Sequence, residues 1–377
     1  MILGGAALNR RYVEQDLRSL YRGPLFYGED AFDGLRIMDQ LVARKKIESV
    51  GSVALKGVAA ATRHTGADAA QRLPTGADEL GVAAECCPTH AARRMIRPSS
   101  LKPSPDVPRP PFWGSRIVTD IPVEEVFGFL NERTLFSTQW QLRKNNVSPA
   151  EYERQMRQEA YPALERLQRL CLEENILRPA VVYGFFYCAN SGDDLIIFDE
   201  GGASERLRFT FPRQDDAEHL CLADYFRASE AGRASDVVAF MAVTVGAEVT
   251  RRALALYEAG AYKDYLYLHG LGVESAEALA EYFHRRLRQE WGIAGDDAAD
   301  VRKLFKKHYR GCRYSFGYPA CPALEDQAKL FELLEPERIG ITLSEQFQLD
   351  PEQSTTALVA HHPQAKYFNV TRTTDAA

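Results

Sequence analysis

No stretch of this sequence approaches the roughly 20 apolar residues that cross a bilayer, and mean hydropathy is −0.31. Met1-Ile2-Leu3-Gly4-Gly5 lacks the basic region and apolar run of a secretory signal. Together these absences predict a cytoplasmic protein with no membrane partner. Basic charge is scarce too: 46 Lys and Arg stand against 52 Asp and Glu, a net charge of −6. Nucleic acid, which calls for a basic face, is therefore not an expected partner. The seven cysteines include the adjacent Cys86-Cys87 but form no C-x-x-C, and the eight histidines form no H-E-x-x-H. His361-His362 has no carboxylate or cysteine close by in sequence. Reduced thiols are expected, with neither a disulfide framework nor a metal site.

What is present is ordinary globular material: 377 residues, 45% hydrophobic and 26% charged, enough for two or three domains. Three stretches differ in texture. Residues 1–43 alternate strand and helix. Met1–Leu3 and Leu25-Phe26-Tyr27 are strand-like, and helices are predicted over Arg10–Tyr21 and after Asp30. This is a partial doubly wound α/β piece, as if the chain began inside a domain. Residues 44–108 are rich in small residues and end in prolines from Pro98 to Pro111, which predicts a linker.

Residues 109–372 form the main body. Helical periodicity marks Val123–Arg133, Ala150–Glu174, Ala247–Ala259, Ser275–Trp291, Ala298–Tyr309 and Leu324–Leu334. Between them, Val181–Cys188 and Leu195–Phe198 flank a hairpin signal at Asn190-Ser191-Gly192-Asp193. Further strands are predicted over Arg206–Phe211, Val237–Val245, Ser354–Ala360 and Tyr367–Val370. Strands grouped in hairpins, with helices elsewhere, predict an α+β fold on an antiparallel sheet.

The densest chemical signal is Arg313-Tyr314-Ser315-Phe316-Gly317-Tyr318-Pro319-Ala320-Cys321-Pro322. Prolines restrict themselves and the residues before them, so the segment should be stiff and hold its backbone polar groups at fixed positions. Arg313 offers a planar fork for a carboxylate, and the rings offer apolar faces. The same residues also suit a buried crossover, with the aromatics in the core and Arg313 paired to a local carboxylate. Both readings stand at this level.

The string resembles the signature of the S-adenosylmethionine-binding activation domain of the cobalamin-dependent methionine synthase family. Pro111-Phe112-Trp113-Gly114, Leu135-Phe136, Gln139-Trp140-Gln141, Cys221–Tyr225, Ala280–His284 and Lys366-Tyr367 fall in the same order and spacing. Residues 1–43 resemble the end of the cobalamin-binding domain that precedes it, with its turn at Gly4-Gly5-Ala6.

The resemblance implies S-adenosylmethionine as ligand and cobalamin as a cofactor shared with a cobalamin-binding partner. It further implies a methyltransferase component that supports reductive methylation, with a flavodoxin-like or flavoprotein reductant. Arg313 would hold the ligand's carboxylate. Ser315 (through its backbone) and Tyr318 would line the adenosyl side, Asn131 would meet the amino group, and Tyr367 and Phe368 would close the site. Glu277 is a further candidate, and Gly5 and Ala6 would touch the cobalamin tail. Asn131 is neutral where relatives often carry aspartate, and Ser137-Thr138 stands where many have Arg-Gly. No Asp-x-His-x-x-Gly segment is present to coordinate cobalt, so the complete reaction is not expected of this chain alone. The absence of a G-x-G-x-x-G after a strand argues against a Rossmann-type methyltransferase. A truncated or split synthase is the leading expectation. The alternative is a non-catalytic binding or partner-docking module, or a gene remnant.

Overall fold

A computed structural model describes residues 2–4, 25–28, 99–142, 148–215, 218–298, 300–304 and 309–370. The chain divides into two compact units, Met1–Thr89 and His90–Ala377. In the first, β1 (Ile2–Gly4) pairs in parallel with β2 (Phe26–Gly28), the arrangement a β-α-β unit gives. The helices predicted between and after them, and the turn residues Gly5 and Ala6, lie outside the described residues.

The second unit is built on a seven-stranded sheet. Its strands are β3 (Gly114–Val118), β4 (Ala180–Ser191), β5 (Asp194–Phe198), β6 (Glu205–Thr210), β7 (Asp236–Thr244), β8 (Cys312–Ser315) and β11 (Ser354–Ala360). Across the sheet they run β6-β5-β4-β7-β11-β8, with β3 also on β4, and every pairing is antiparallel. A small antiparallel ribbon joins β9 (Thr342–Leu343) to β10 (Leu349–Asp350). The β4–β5 hairpin turns at Gly192, whose φ of 72° suits a residue without a Cβ. Asn190 Oδ1 braces the turn by accepting from the Gly192 N–H at 3.1 Å.

Both faces of the sheet are covered. Val181, Tyr183 and Phe185 of β4, with Ala239, Met241 and Val243 of β7, face one core. Val182, Phe186, Val238, Phe240 and Ala242 face the other. That double burial explains why Val237–Val245 reads as an unbroken apolar run instead of alternating. The described helices are α1 (Val123–Phe127), α2 (Glu132–Thr134), α3 (Pro149–Gln155), α4 (Tyr161–Glu173), α5 (Glu248–Glu258), α6 (Tyr262–Glu290), α7 (Val301–Leu304) and α8 (Asp326–Leu334). Helix α6 covers the first face with Leu271, Leu279, Phe283 and Leu287, all fully buried. Burying each such side chain contributes about 1.5–3 kcal/mol. Helix α8 covers the second with Leu330, Leu333 and Leu334.

Several expectations are corrected. Helix α6 begins at Tyr262, not Ser275. Its interior glycines are close-packing positions: a Cβ on Gly270 would lie 2.9 Å from Trp140, and one on Gly272 would lie 2.8 Å from Val249. Cys312–Ser315 is a strand where a loop was expected, whereas Tyr367–Val370 forms none. The end of the predicted 44–108 linker lies on the second unit. There the Ser104 carbonyl accepts from Arg227 at 2.7 Å, and the Pro108 carbonyl accepts from Trp291 Nε1 at 3.1 Å. His361 does have a companion, Asp236, 2.6 Å away from a distant strand. The five described cysteines are buried free thiols.

Candidate functional site

Arg313 projects from β8, an edge strand held by β11 through the pairing of Val359 with Arg313. It meets the acidic face of α6. Nη2 donates to Glu281 Oε1 at 2.8 Å and, more weakly, to Glu277 Oε2 at 3.5 Å; Nη1 donates to Ser315 Oγ at 3.2 Å. Its Nε is buried with no partner among the described residues. Burial disfavours the charged guanidinium, but Glu281 and Glu277 more than offset it and hold its pKa above the usual arginine value.

The residues after Arg313 run inward and then out: Tyr314, Ser315 and Phe316 are buried, and Gly317, Tyr318 and Pro319 are exposed. Tyr314 is fully buried and Phe316 nearly so, whereas Tyr318 is 48% exposed. The chain turns back on itself between them. The Gly317 N–H bonds the Cys321 carbonyl and the Cys321 N–H bonds the Tyr318 carbonyl, both at 2.9 Å. Gly317 has a φ of 84°, and a Cβ there would stand 2.7 Å from Leu324, so this turn admits little but glycine. The Tyr318 hydroxyl donates to Glu277 Oε1 at 3.2 Å. The Glu277 charge, ahead of burial, pushes the phenol up to about 12. The buried-crossover features are present, with Tyr314 and Phe316 in the core and Arg313 paired with Glu281 and Glu277, while Tyr318 stands out of the core.

A groove of about 240 Å³ opens beside this turn, lined by Glu277, Phe316, Tyr318, Gln327, Glu352 and Thr355 among others. Arg313 stands behind it, reached past Glu277. Arg313, Ser315, Tyr318 and Glu277 thus come together as one cluster. Asn131 lies next to Glu274 of α6; its Oδ1 accepts from the Thr134 N–H at 3.3 Å, capping α2. Its own N–H faces the carboxylate of Glu274 and favours the ionised form, a smaller effect than burial and the Glu277 charge, which raise the pKa of that group. Tyr367 is half-buried, its ring nearly parallel to Tyr314 with centroids 6.3 Å apart. Phe368 does not face the groove; at 6% exposure it packs against Tyr225 and Tyr314 in the core. Gly5 and Ala6 lie outside the described residues.

No role was assigned from sequence to Glu281, the tighter partner of Arg313, or to Glu274 on the same helix. The signal was there: Glu274, Glu277 and Glu281 recur at three and four residues, one face of a helix. Starting the helix at Ser275 left Glu274 out by one position. Behind the site, His284 is fully buried beside Tyr309, with no partner for either ring nitrogen among the described residues. Burial, then Arg288 and Arg313, drives its pKa well below the usual value and keeps it neutral.

The family model described as the activation domain of vitamin B12 dependent methionine synthase matches residues 122–376. The methionine synthase of Mycobacterium tuberculosis is 44% identical over 385 residues, covering 98% of this chain and 32% of its own length. That of Mycobacterium leprae is 41% identical over 386 residues, with the same coverages. The chain therefore spans about a third of the length of these relatives. Among solved structures, a MetH reactivation domain bound to AdoHcy matches with a TM-score of 0.63 and 28% identity, over 71% of this chain and 84% of that one. By sequence and by fold, the chain belongs to the vitamin B12-dependent methionine synthase family and carries its activation domain.

Proposed function

We propose that this chain binds S-adenosylmethionine at the Arg313 cluster and supports the reductive methylation of cobalamin held by the remainder of a methionine synthase. The observation that carries the reading is the pairing of Arg313 with Glu277, which itself lines a groove together with Tyr318. An amino-acid ligand brings both a carboxylate and an ammonium. Glu277 is the looser of the two partners of Arg313, at 3.5 Å against 2.8 Å, and the more exposed, at 34% against 26%. Its release lets the incoming carboxylate take the guanidinium while Glu277 takes the ammonium, so each charge keeps a partner. Nε of Arg313, without a partner among the described residues, is spare donor capacity for an anion. Tyr318 and Phe316 supply the walls for the adenosyl group, Tyr367 stands beside them, and Ser315 holds Arg313 in place.

The bound donor and corrin supply the methyl-transfer chemistry; the chain's residues bind and orient. No general base is required of this site, since methyl transfer from a sulfonium to a reduced metal removes no proton. We assign the reductant to a flavodoxin-like protein or other flavoprotein, and the setting to the cytoplasm, where the free thiols stay reduced. Gly5 and Ala6 remain our candidates for the cobalamin tail. Titration calorimetry with S-adenosylmethionine, on the chain and on Arg313→Ala, tests the reading. Micromolar-range binding that the variant loses is the expected result; equal affinity for both proteins removes the assignment.

A further inference from the structure

The polar side chains along the groove differ in what they are free to do. On α6 the groove wall is Val273, Ala276 and Glu277, with Glu281 outside it. The groove therefore runs from Glu277 toward the start of the helix, away from the bond between Arg313 and Glu281. A ligand held at Glu277 by its amino-acid end lays its nucleoside along that length. Several polar groups there are already engaged. Gln327 uses both ends of its amide, accepting from the Thr356 hydroxyl and donating to the Phe347 carbonyl, each at 2.9 Å. The Ser354 hydroxyl donates to Thr244 at 2.9 Å, and Glu352 lies 3.8 Å from His269. Gln348 differs: it lines the groove, is exposed, and its side-chain amide has no partner among the described residues.

The backbone that carries this amide is held in place. Gln348 ends the turn of the β9–β10 ribbon, where the Ser344 N–H bonds its carbonyl at 2.9 Å and its own N–H bonds Ser344 Oγ at 3.0 Å. Just before it, Phe347 has a φ of 58°, a left-handed conformation costly for an aromatic residue. Gln327 of α8 pins the Phe347 carbonyl and so helps to hold that conformation. The amide thus enters the groove from a fixed point. An amide presents one donor and one acceptor side by side, the pair that an adenine edge demands, as when glutamine reads adenine in nucleic acid. The other groups match less well. The Glu352 carboxylate only accepts, and would set lone pairs against adenine's ring nitrogens; Thr355 has a single hydroxyl. We propose that Gln348 is a specificity-determining residue that reads the adenine of the bound nucleoside, its Nε2 donating to a ring nitrogen and its Oε1 accepting from the 6-amino group. The proposal rests on the ligand assignment above and deepens it.

The test is calorimetry with S-adenosylmethionine and with its analogue lacking the 6-amino group, on the chain and on Gln348→Ala. One neutral hydrogen bond predicts that the unaltered chain prefers the adenine compound by about threefold to tenfold. In Gln348→Ala the preference should fall to about one, the adenine compound losing more affinity than the analogue. The altered side chain is exposed and the backbone bonds of the turn survive the change, so the urea midpoint should stay where it is. A preference that survives in Gln348→Ala, or that is absent from the unaltered chain, overturns the proposal while leaving the ligand assignment in place. Failure of both compounds to bind the unaltered chain overturns the two together.

Discussion

Two buried guanidiniums lie close to the same helix and live in opposite circumstances. Arg288 is 1% exposed and grips Asp297 with two bonds, at 2.6 and 3.1 Å, while its guanidinium sits 4.1 Å from the centre of the Tyr309 ring. One cation meets one carboxylate, and among the described residues its Nη1 is left without a hydrogen-bond partner, as Nε of Arg313 is. Arg313 faces two carboxylates at unequal distances, both a quarter to a third exposed, with a third carboxylate nearby and a groove alongside. That region carries surplus acid and a partner that can be exchanged. The first arrangement suits holding the fold together; the second suits receiving a ligand with charges of both signs. His284, kept neutral beside both, adds no third positive charge between them.

The contrast is broken or sharpened by experiment. Arg288→Ala strands Asp297 in a dry site and should destabilise the domain by about 3–5 kcal/mol, read as a fall in the urea midpoint. Arg313→Ala should cost far less stability, because Glu277 and Glu281 can turn to water; the reverse ranking would break the comparison. Glu274 gives the next effect. Its pKa is raised to about 7 from the ordinary carboxyl range, so the folded chain holds a proton that the unfolded chain releases. Its contribution is complete at acid pH and declines as pH rises from about 4.5 to about 7, by about 3 kcal/mol at most. Urea unfolding at pH 5 and pH 8 should show Glu274→Gln gaining on the unaltered chain at the higher pH. For ligand binding, Arg313→Ala should lose about 2–3 kcal/mol of S-adenosylmethionine affinity by calorimetry. Tyr318→Phe should lose less than about 1 kcal/mol, with unfolding unchanged, since the residue is exposed and its hydroxyl makes one bond, to Glu277.

The parts of the fold that were legible are those with one dominant local cause. Ser354–Ala360 was read to the residue, and Val237–Val245 nearly so, because strands buried on both faces carry long apolar runs. The α+β class followed from hairpins that the Gly192 turn announces. The short strand Cys312–Ser315 was not legible: its pairing comes entirely from β11, more than forty residues on, and its own aromatics and following prolines look like loop. The front half of α6 was hidden by Gly270 and Gly272, which locally resemble helix ends and are there for Trp140 and Val249. The site divides in the same way. Arg313 and Tyr318 announce themselves through a dense motif, whereas Glu274 depends on a helix boundary and the closeness of Asn131. The inward turn of Phe368 is set by Tyr225 and Tyr314, which no local pattern records.

Helix α6 is 29 residues long, an unbroken rod of roughly 43 Å. Its first half is clamped where Gly270 and Gly272 admit an indole and a valine, and its second half is locked by Phe283, Leu287 and Arg288. A beam fixed at both ends cannot tilt toward a guest. Accommodation must therefore come from rotating individual acids or from movement of the tyrosine-bearing turn, which makes that turn, and not the helix, the place where crosslinking or added proline would freeze the protein in one state.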